Sequence, residues 1–259
     1  MSRTVLLSLA CFAAAAALTA APSKEFRRTV PLAADGRVEL RSERGTAHIA
    51  AWDRHAVEVV ATITARPESE HPEESVRRTQ IRFDASPESV LIQTDFGDRW
   101  PDGRWLHDEH DPVPLVQYEI KVPRTVDLTL DDNRSEIELG DLLGRLHLHS
   151  DRTELHVASF NGALDVESDR GSIRIDRLVL SQRGEFRTDR TDVELGLTST
   201  HDMTLDLDLE RVSPDVDSGL LTGLIREDHR HVSYRGSIGR GGPTLRYIAD
   251  RGSLRLRRV

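Results

Sequence analysis

The side chains best suited to chemistry crowd into one stretch, residues 95–114 (DFGDRWPDGRWLHDEHDPVP). Asp95, Asp98, Asp102, Asp108, Glu109 and Asp111 stand there with His107, His110, Trp100 and Trp105. Aromatic faces beside carboxylates can stack on a sugar ring and bond its hydroxyls. Trp100, Trp105, Asp102 and Asp108 are the residues such a carbohydrate site would use. The acids and histidines could also hold a divalent cation. Their spacing, however, matches neither Asp-x-Asp-x-Asp-Gly nor His-Glu-x-x-His. The plainer expectation is that both tryptophans pack the loop onto a sheet while the acids stay solvated, with no metal and no cofactor.

Other catalytic signatures are missing. There is no Gly-x-Ser-x-Gly, no phosphate-cradling loop, and the single cysteine, Cys11, lies in the apolar N-terminal run. Paired carboxylates could serve polysaccharide cleavage. With 44 acidic residues, though, a pair at any separation can be found. The reading is a non-enzymatic protein.

The elements that would carry these groups follow one repeated pattern. Copies fall at 38–49, 128–139, 146–157, 164–175, 184–195 and 245–256. Each is an alternating strand, a polar turn with Arg beside Gly, Ser or Thr, and a second alternating strand. Arg134, Arg152 and Arg170 recur at a fixed interval and Arg190 follows slightly late. A short fixed period with one half-buried strand pair per unit marks a stacked architecture. The expected fold is all-β, a single-domain β-solenoid or β-helix-like stack of short strands. Residues 22–125 read as an N-terminal β region carrying the acidic loop, and 126–259 as the strand-repeat solenoid. Residues 66–79 could be a short helix or a loop. The stretch 196–243 keeps alternation but loses the arginine turn.

Alternation places Leu146 and Leu148 on one inner wall and Leu155 and Val157 on the facing one. Outward residues of equal rank should then form columns. One holds Glu138, His156, Arg174 and Glu194. A second holds Asp131, His149, Glu167 and Arg187, and a third Thr129, His147, Asp165 and Glu185. Arg134, Arg152, Arg170 and Arg190 should make a surface ladder of like charge. His149, between two carboxylates, is expected to hold its proton more tightly. Asn133, Asp151, Asp169, Asp189 and Asp250 are expected at the turns because they tolerate left-handed backbone or bond their own backbone, and Gly45, Gly171 and Gly252 serve the same need more simply.

Residues 1–20 read as a secretory signal peptide: Arg3, an apolar run to Leu18, then small residues. The expected location is periplasmic, or cell surface and extracellular. No later segment is apolar enough to span a membrane after cleavage. The formal net charge of −9 argues against nucleic acid or anionic lipid as the main partner. All basic residues are arginine except Lys24 and Lys121, which suits forked pairing with neighbouring acids.

The run Val116-x-Tyr118-x-Ile120-x-Val122-Pro123, then Leu128 to Leu130 and 144–171, resembles the bacterial putative-adhesin, β-strand-repeat family of unknown function. Gly45-Thr46-Ala47-His48-Ile49 with Trp52-Asp53 resembles its N-terminal hairpin. The likeness spans about residues 30–195. It implies an exported β-solenoid, adhesin-like by fold analogy, and supplies no catalytic residue. The expectation is an exported adhesin-like β-solenoid that meets an envelope or extracellular ligand, with a glycan as one candidate. The alternatives are a carbohydrate-binding module using Trp100 and Trp105, and a polysaccharide-active enzyme.

Overall fold

The computed structural model describes residues 21–97, 112–198, 202–220, 222–228 and 230–259, with backbone alone at 213 and 222–228. The chain begins with β1 (Ser23–Pro31), β2 (Arg37–Trp52) and β3 (Ala56–Thr64), then enters α1 (Pro72–Arg78). Next come β4 (Gln80–Ala85), β5 (Ser89–Asp95), β6 (Leu115–Pro123), β7 (Asp127–Leu142) and the long β8 (Arg145–Thr188). The remainder is β9 (Thr191–Leu197), β10 (Met203–Glu210), β11 (Val212–Val216), β12 (Thr222–Asp228), β13 (His231–Ile238), β14 (Thr244–Ala249) and β15 (Gly252–Arg258). All fifteen strands join one sheet. The charged stretch 66–79 resolves into α1: Pro72 opens it, Glu73 and Glu74 suit its first turn, and Arg77 and Arg78 its last. Val76 anchors it to the core.

The repeats pair with one another in parallel. β2 lies beside β7 from Arg37↔Asp127 to Ile49↔Leu139. β7 lies beside the start of β8 from Asp127↔Arg145 to Leu142↔Phe160. β8 is long because it runs through successive layers: Ala163 N donates to Gly144 O at 3.1 Å, and Ser150 Oγ to Ser168 Oγ at 3.1 Å. β8 then meets β9 at Gly171↔Thr191, with an irregularity between Ile175 and Leu178.

The C-terminal order departs from chain order. β14 and β15 pair in parallel with the end of β8 and with β9, at Leu245↔Gly184 and Leu254↔Val193. β10 and β11 stack on their far side, at Leu205↔Leu245 and Val212↔Gly252. The last copy of the pattern is therefore inserted between two earlier segments, and the degenerate stretch contains a further layer. Antiparallel strands finish both ends of the parallel block. β13 and then β12 cover β10; at the other end β6 and β5 still pair with β2 in parallel, and antiparallel β3 and β1 cover β6 while antiparallel β4 covers β5. A parallel edge left open would template pairing with another chain.

Burial shows how one strand serves both walls. In β7 the buried positions are Leu128, Leu130 and Asp132, then Ser135, Ile137 and Leu139. In β8 they are Leu146, Leu148 and Ser150, then Thr153, Leu155 and Val157. Two residues in a row that are not buried, 133–134 or 151–152, switch the parity. Both halves thus send apolar side chains into one continuous core cluster. Each fully buried Leu or Ile there contributes about 1.5–3 kcal/mol. Phe186 and Tyr247 meet edge to face at 5.7 Å, in adjacent layers of that core.

The turns do not use their acidic residues for left-handed backbone. Positive φ occurs at Gly45, Gly171 and Gly252, and among described non-glycine residues at Arg190 and Arg211 alone. Asn133, Asp151, Asp169, Asp189 and Asp250 stay outside that region. Where that region is used, a neighbouring residue takes it, as Gly171 does beside Arg170 and Gly252 beside Arg251, while β7 and β8 pass 133 and 151 with no positive φ. Gly171 has a second constraint, because a Cβ there would lie 2.1 Å from Thr153 O in the layer below. Gly219 has φ +73, but a Cβ there would meet only the Arg258 side chain, at an ordinary 3.5 Å. Gly171→Ala should therefore lower stability by about 2 kcal/mol and Gly219→Ala by about 1 kcal/mol. Urea denaturation of both variants checks this, and equal midpoints would remove the steric argument.

Candidate functional site

The outward rows follow from the strand registers. Along the second half of each layer, His48, Glu138, His156, Arg174, Glu194, Arg255 and Asp215 occupy successive strands. His48 Nδ1 pairs with Glu138 at 2.9 Å. His156 lies between Glu138 and Arg174 by register, but its Nε2 turns to Asp176 at 2.8 Å. Arg174 Nε binds the other oxygen of Asp176 at 2.7 Å and its Nη1 lies 3.6 Å from Glu194. Glu194 also receives Arg257 at 3.0 Å, and Arg255 bonds Asp215 at 3.0 Å. Partial burial works to raise the Asp176 pKa, yet the hydrogen bonds from His156 and Arg174 prevail and hold it below its usual range. Arg174 is correspondingly raised, first by its bond to Asp176.

The rows on the first half carry the other histidines. His149 is the register partner of Asp131, and its Nδ1 lies 3.6 Å from Glu167. His147 lies 3.6 Å from Asp165 and 4.0 Å from Asp127. Arg187 turns to Glu185 at 2.5 Å and not toward Glu167. His231 near the C-terminal end pairs with Asp208 at 2.7 Å. Each of these five histidines thus meets one or two carboxylates. Among the described residues no group of three or more His, Cys, Asp or Glu is placed to hold a metal ion.

The turn between the two halves carries the arginines. Arg134 is the register partner of Arg44, and Arg152 follows between the pairs Asp132↔Ser150 and Glu136↔Glu154. Arg251 and Arg211 occupy the same turn in the C-terminal layers. There the charge is balanced: Arg190 meets Asp189 at 2.9 Å, Arg251 meets Asp189 at 3.2 Å, and Arg211 pairs with Asp250. Arg152 has Asp151 at 3.3 Å. Arg44 and Arg134 form no ion pair among the described residues. Burial lowers the Arg44 pKa first, with the charges of Arg134, Arg66 and Arg152 adding to it. Arg170 forms no ion pair among the described residues either, and its Nε is buried without a hydrogen-bond partner, so the balance fails at the N-terminal end of the turn and again at Arg170.

Beneath the arginines runs a buried polar line that sequence reasoning did not single out. Asp132 accepts from Ser42 Oγ at 2.5 Å, from Ser135 N at 2.9 Å and Ser135 Oγ at 2.5 Å, and from Thr153 Oγ1 at 2.5 Å. Ser168 Oγ continues the line, accepting from Ser150 at 3.1 Å and from Thr191 at 3.3 Å. The available signal was the small polar residue three positions before each Gly, Ser or Thr of the turn. Two tyrosines are likewise tied inside the core: Tyr118 to Thr94 at 2.6 Å and Tyr247 to Thr188 at 3.1 Å. Burial pushes both phenols up to about 12.

Trp100, Trp105, Asp102 and Asp108 lie outside the described residues. The expected hairpin of β2 and β3 does not form, because β6 lies between them in the sheet; Trp52 ends β2, and its Nε1 donates to Ala56 O at 2.8 Å across the connection to β3. Arg54 and Lys121 lie 5.0 and 5.5 Å from its ring.

No protein-family model matches the chain, and no curated protein does. Solved structures similar to it include a putative cell adhesion protein from Clostridium sporogenes, 9% identical over 92% of this chain and 100% of that one, with a TM-score of 0.45. Two others are putative adhesins. The one from Parabacteroides distasonis is 10% identical over 90% of this chain and 97% of that one, TM-score 0.33. The one from Bacteroides fragilis is 8% identical over 91% and 97%, TM-score 0.28.

Proposed function

We propose that the protein is an exported, non-enzymatic, adhesin-like scaffold whose parallel layers form a β-solenoid body. In this reading residues 1–20 are a signal peptide, and the mature chain works in the periplasm or at the cell surface. The observation that carries it is the rigid display of charge along the second half of the layers, where His48, Glu138, His156, Arg174, Glu194, Arg255 and Asp215 follow one another strand by strand. Adjacent strands lie about 4.8 Å apart, so the row presents charged groups at a repeat that an extended, charged polymer can match. Individual exposed pairs add little to stability, about 0–1 kcal/mol each, so the row is better suited to recognition than to holding the fold.

Cosedimentation of the mature chain with peptidoglycan sacculi and with lipopolysaccharide tests the reading. Arg174→Ser combined with Arg255→Ser should weaken retention at least tenfold while the far-ultraviolet dichroism is unchanged. Absence of retention on both polymers, or retention indifferent to the double variant, would sink it. Loss on Trp105→Ala alone would instead favour the carbohydrate-binding module using Trp100 and Trp105. Release of reducing ends from either polymer would favour a polysaccharide-active enzyme.

A further inference from the structure

At the N-terminal end of the arginine turn lies an open groove of about 490 Å³, lined by Arg44, Gly45, Thr46, Thr64, Leu115, Gln117 and Arg134. Its shape has a backbone cause. Gly45 has φ +138, and a Cβ there would lie 1.8 Å from Val116 O. Glycine therefore lets β6 close against β2 and leaves no side chain between Arg44 and Leu115. The lining is mainly apolar along one side, and Leu115 is 40% exposed, one of three large exposed hydrophobic residues among those described. The volume falls within the usual range for small-molecule sites, about 300–1,000 Å³.

The charge at the groove is unbalanced. Arg44 and Arg134 are partners in adjacent parallel strands, which sets their backbones about 4.8 Å apart. The nearest acids by sequence and register, Glu43 and Glu136, make no ion pair with either among the described residues. Arg66, close enough to repel Arg44, is occupied by Glu68 at 3.5 Å. Farther along the same turn every arginine from 190 onward has a carboxylate. Neither guanidinium has an ion pair among the described residues, although the charge of Glu43 acts on Arg44 from a distance, and two such groups side by side form the fork that a phosphate or carboxylate accepts.

We propose that this groove binds a single-chain anionic amphiphile, its phosphate or carboxylate head held between Arg44 and Arg134 and its aliphatic tail laid against Leu115. The reading is independent of polymer recognition by the row of His48 to Asp215. Specificity comes from the combination: the head group answers the stacked charge, and the tail covers exposed apolar surface. Neither part alone would hold a ligand well in an open groove.

Titration calorimetry of the mature chain with decyl phosphate, kept below its micelle concentration, tests the proposal, with inorganic phosphate and decanol as separate probes. Decyl phosphate should bind at least tenfold more tightly than either probe. Arg44→Gln with Arg134→Gln should weaken it at least tenfold, and Leu115→Ser should weaken decyl phosphate while leaving inorganic phosphate unchanged. Both changes fall on exposed or half-exposed side chains, and circular dichroism verifies the fold. Equal affinity for inorganic phosphate, or affinity unmoved by the arginine pair or by Leu115→Ser, overturns the proposal. So does absence of decyl phosphate binding to the unaltered chain.

Discussion

Leu155→Asp should abolish cooperative folding of the central layers. Leu155 is 2% exposed and stands beside Ile137 in the preceding layer. A carboxylate there would lose its hydration in a row of aliphatic side chains, with no donor to replace the water. The lost apolar burial costs about 2–3 kcal/mol, and the uncompensated polar group adds several more. The sum exceeds about 4 kcal/mol, a large fraction of the stability of an ordinary domain. Because each layer is the floor of the next, the damage should spread through β7, β8 and β9 and not stay within one turn. Urea unfolding followed by circular dichroism, with Glu154→Ala as the exposed control, reads this directly. A midpoint shifted no more than the control would mean that position 155 is not part of the core that sustains the stack.

Much of this was legible in the sequence because the central repeats are local and regular. The interval from Arg134 to Arg152 to Arg170 is the interval between paired residues such as Leu128 and Leu146, so the spacing alone gave the register. Alternation gave the inner walls, and the all-β class followed. The C-terminal order was not legible. Nothing in 245–256 states that it pairs with 184–197 while 203–216 takes the outer place; that choice is made by non-local pairing, to which strand pattern is indifferent. The outer layer was also disguised at its turn, where Arg211 adopts φ +54 in place of a glycine. Sequence reasoning likewise placed His156 by strand rank, between Glu138 and Arg174. Its side chain has the reach to choose Asp176 diagonally, and the better hydrogen bond wins. The groove at Arg44 was hidden for the same reason as the stacking order. Leu115 and Arg44 are far apart in sequence, and only the close approach at Gly45 brings them together.

The buried carboxylate offers the second large effect. Asp132→Ala should cost about 3 kcal/mol, because Asp132 is 5% exposed and accepts four hydrogen bonds from three residues of three strands. Removing it leaves the Ser135 N–H and the hydroxyls of Ser42 and Thr153 with lost acceptors, and each buried unsatisfied group costs about 1–3 kcal/mol. The hydroxyls recover part of this, since Ser42 Oγ already lies 3.5 Å from Ser135 Oγ. The backbone donor cannot turn to another partner. Asp132→Ser should be much milder, about 1 kcal/mol, since serine fills the same place in the flanking layers at Ser42 and Ser150, and a hydroxyl can accept from one neighbour while donating to another. The comparison separates an acceptor role from mere volume: alanine and serine differ little in size, so equal unfolding midpoints for the two variants would mean that the hydrogen bonds at this turn do not hold the layers together. A wide gap in serine's favour would tie the stacking of β2, β7 and β8 to the polar line beneath the arginines.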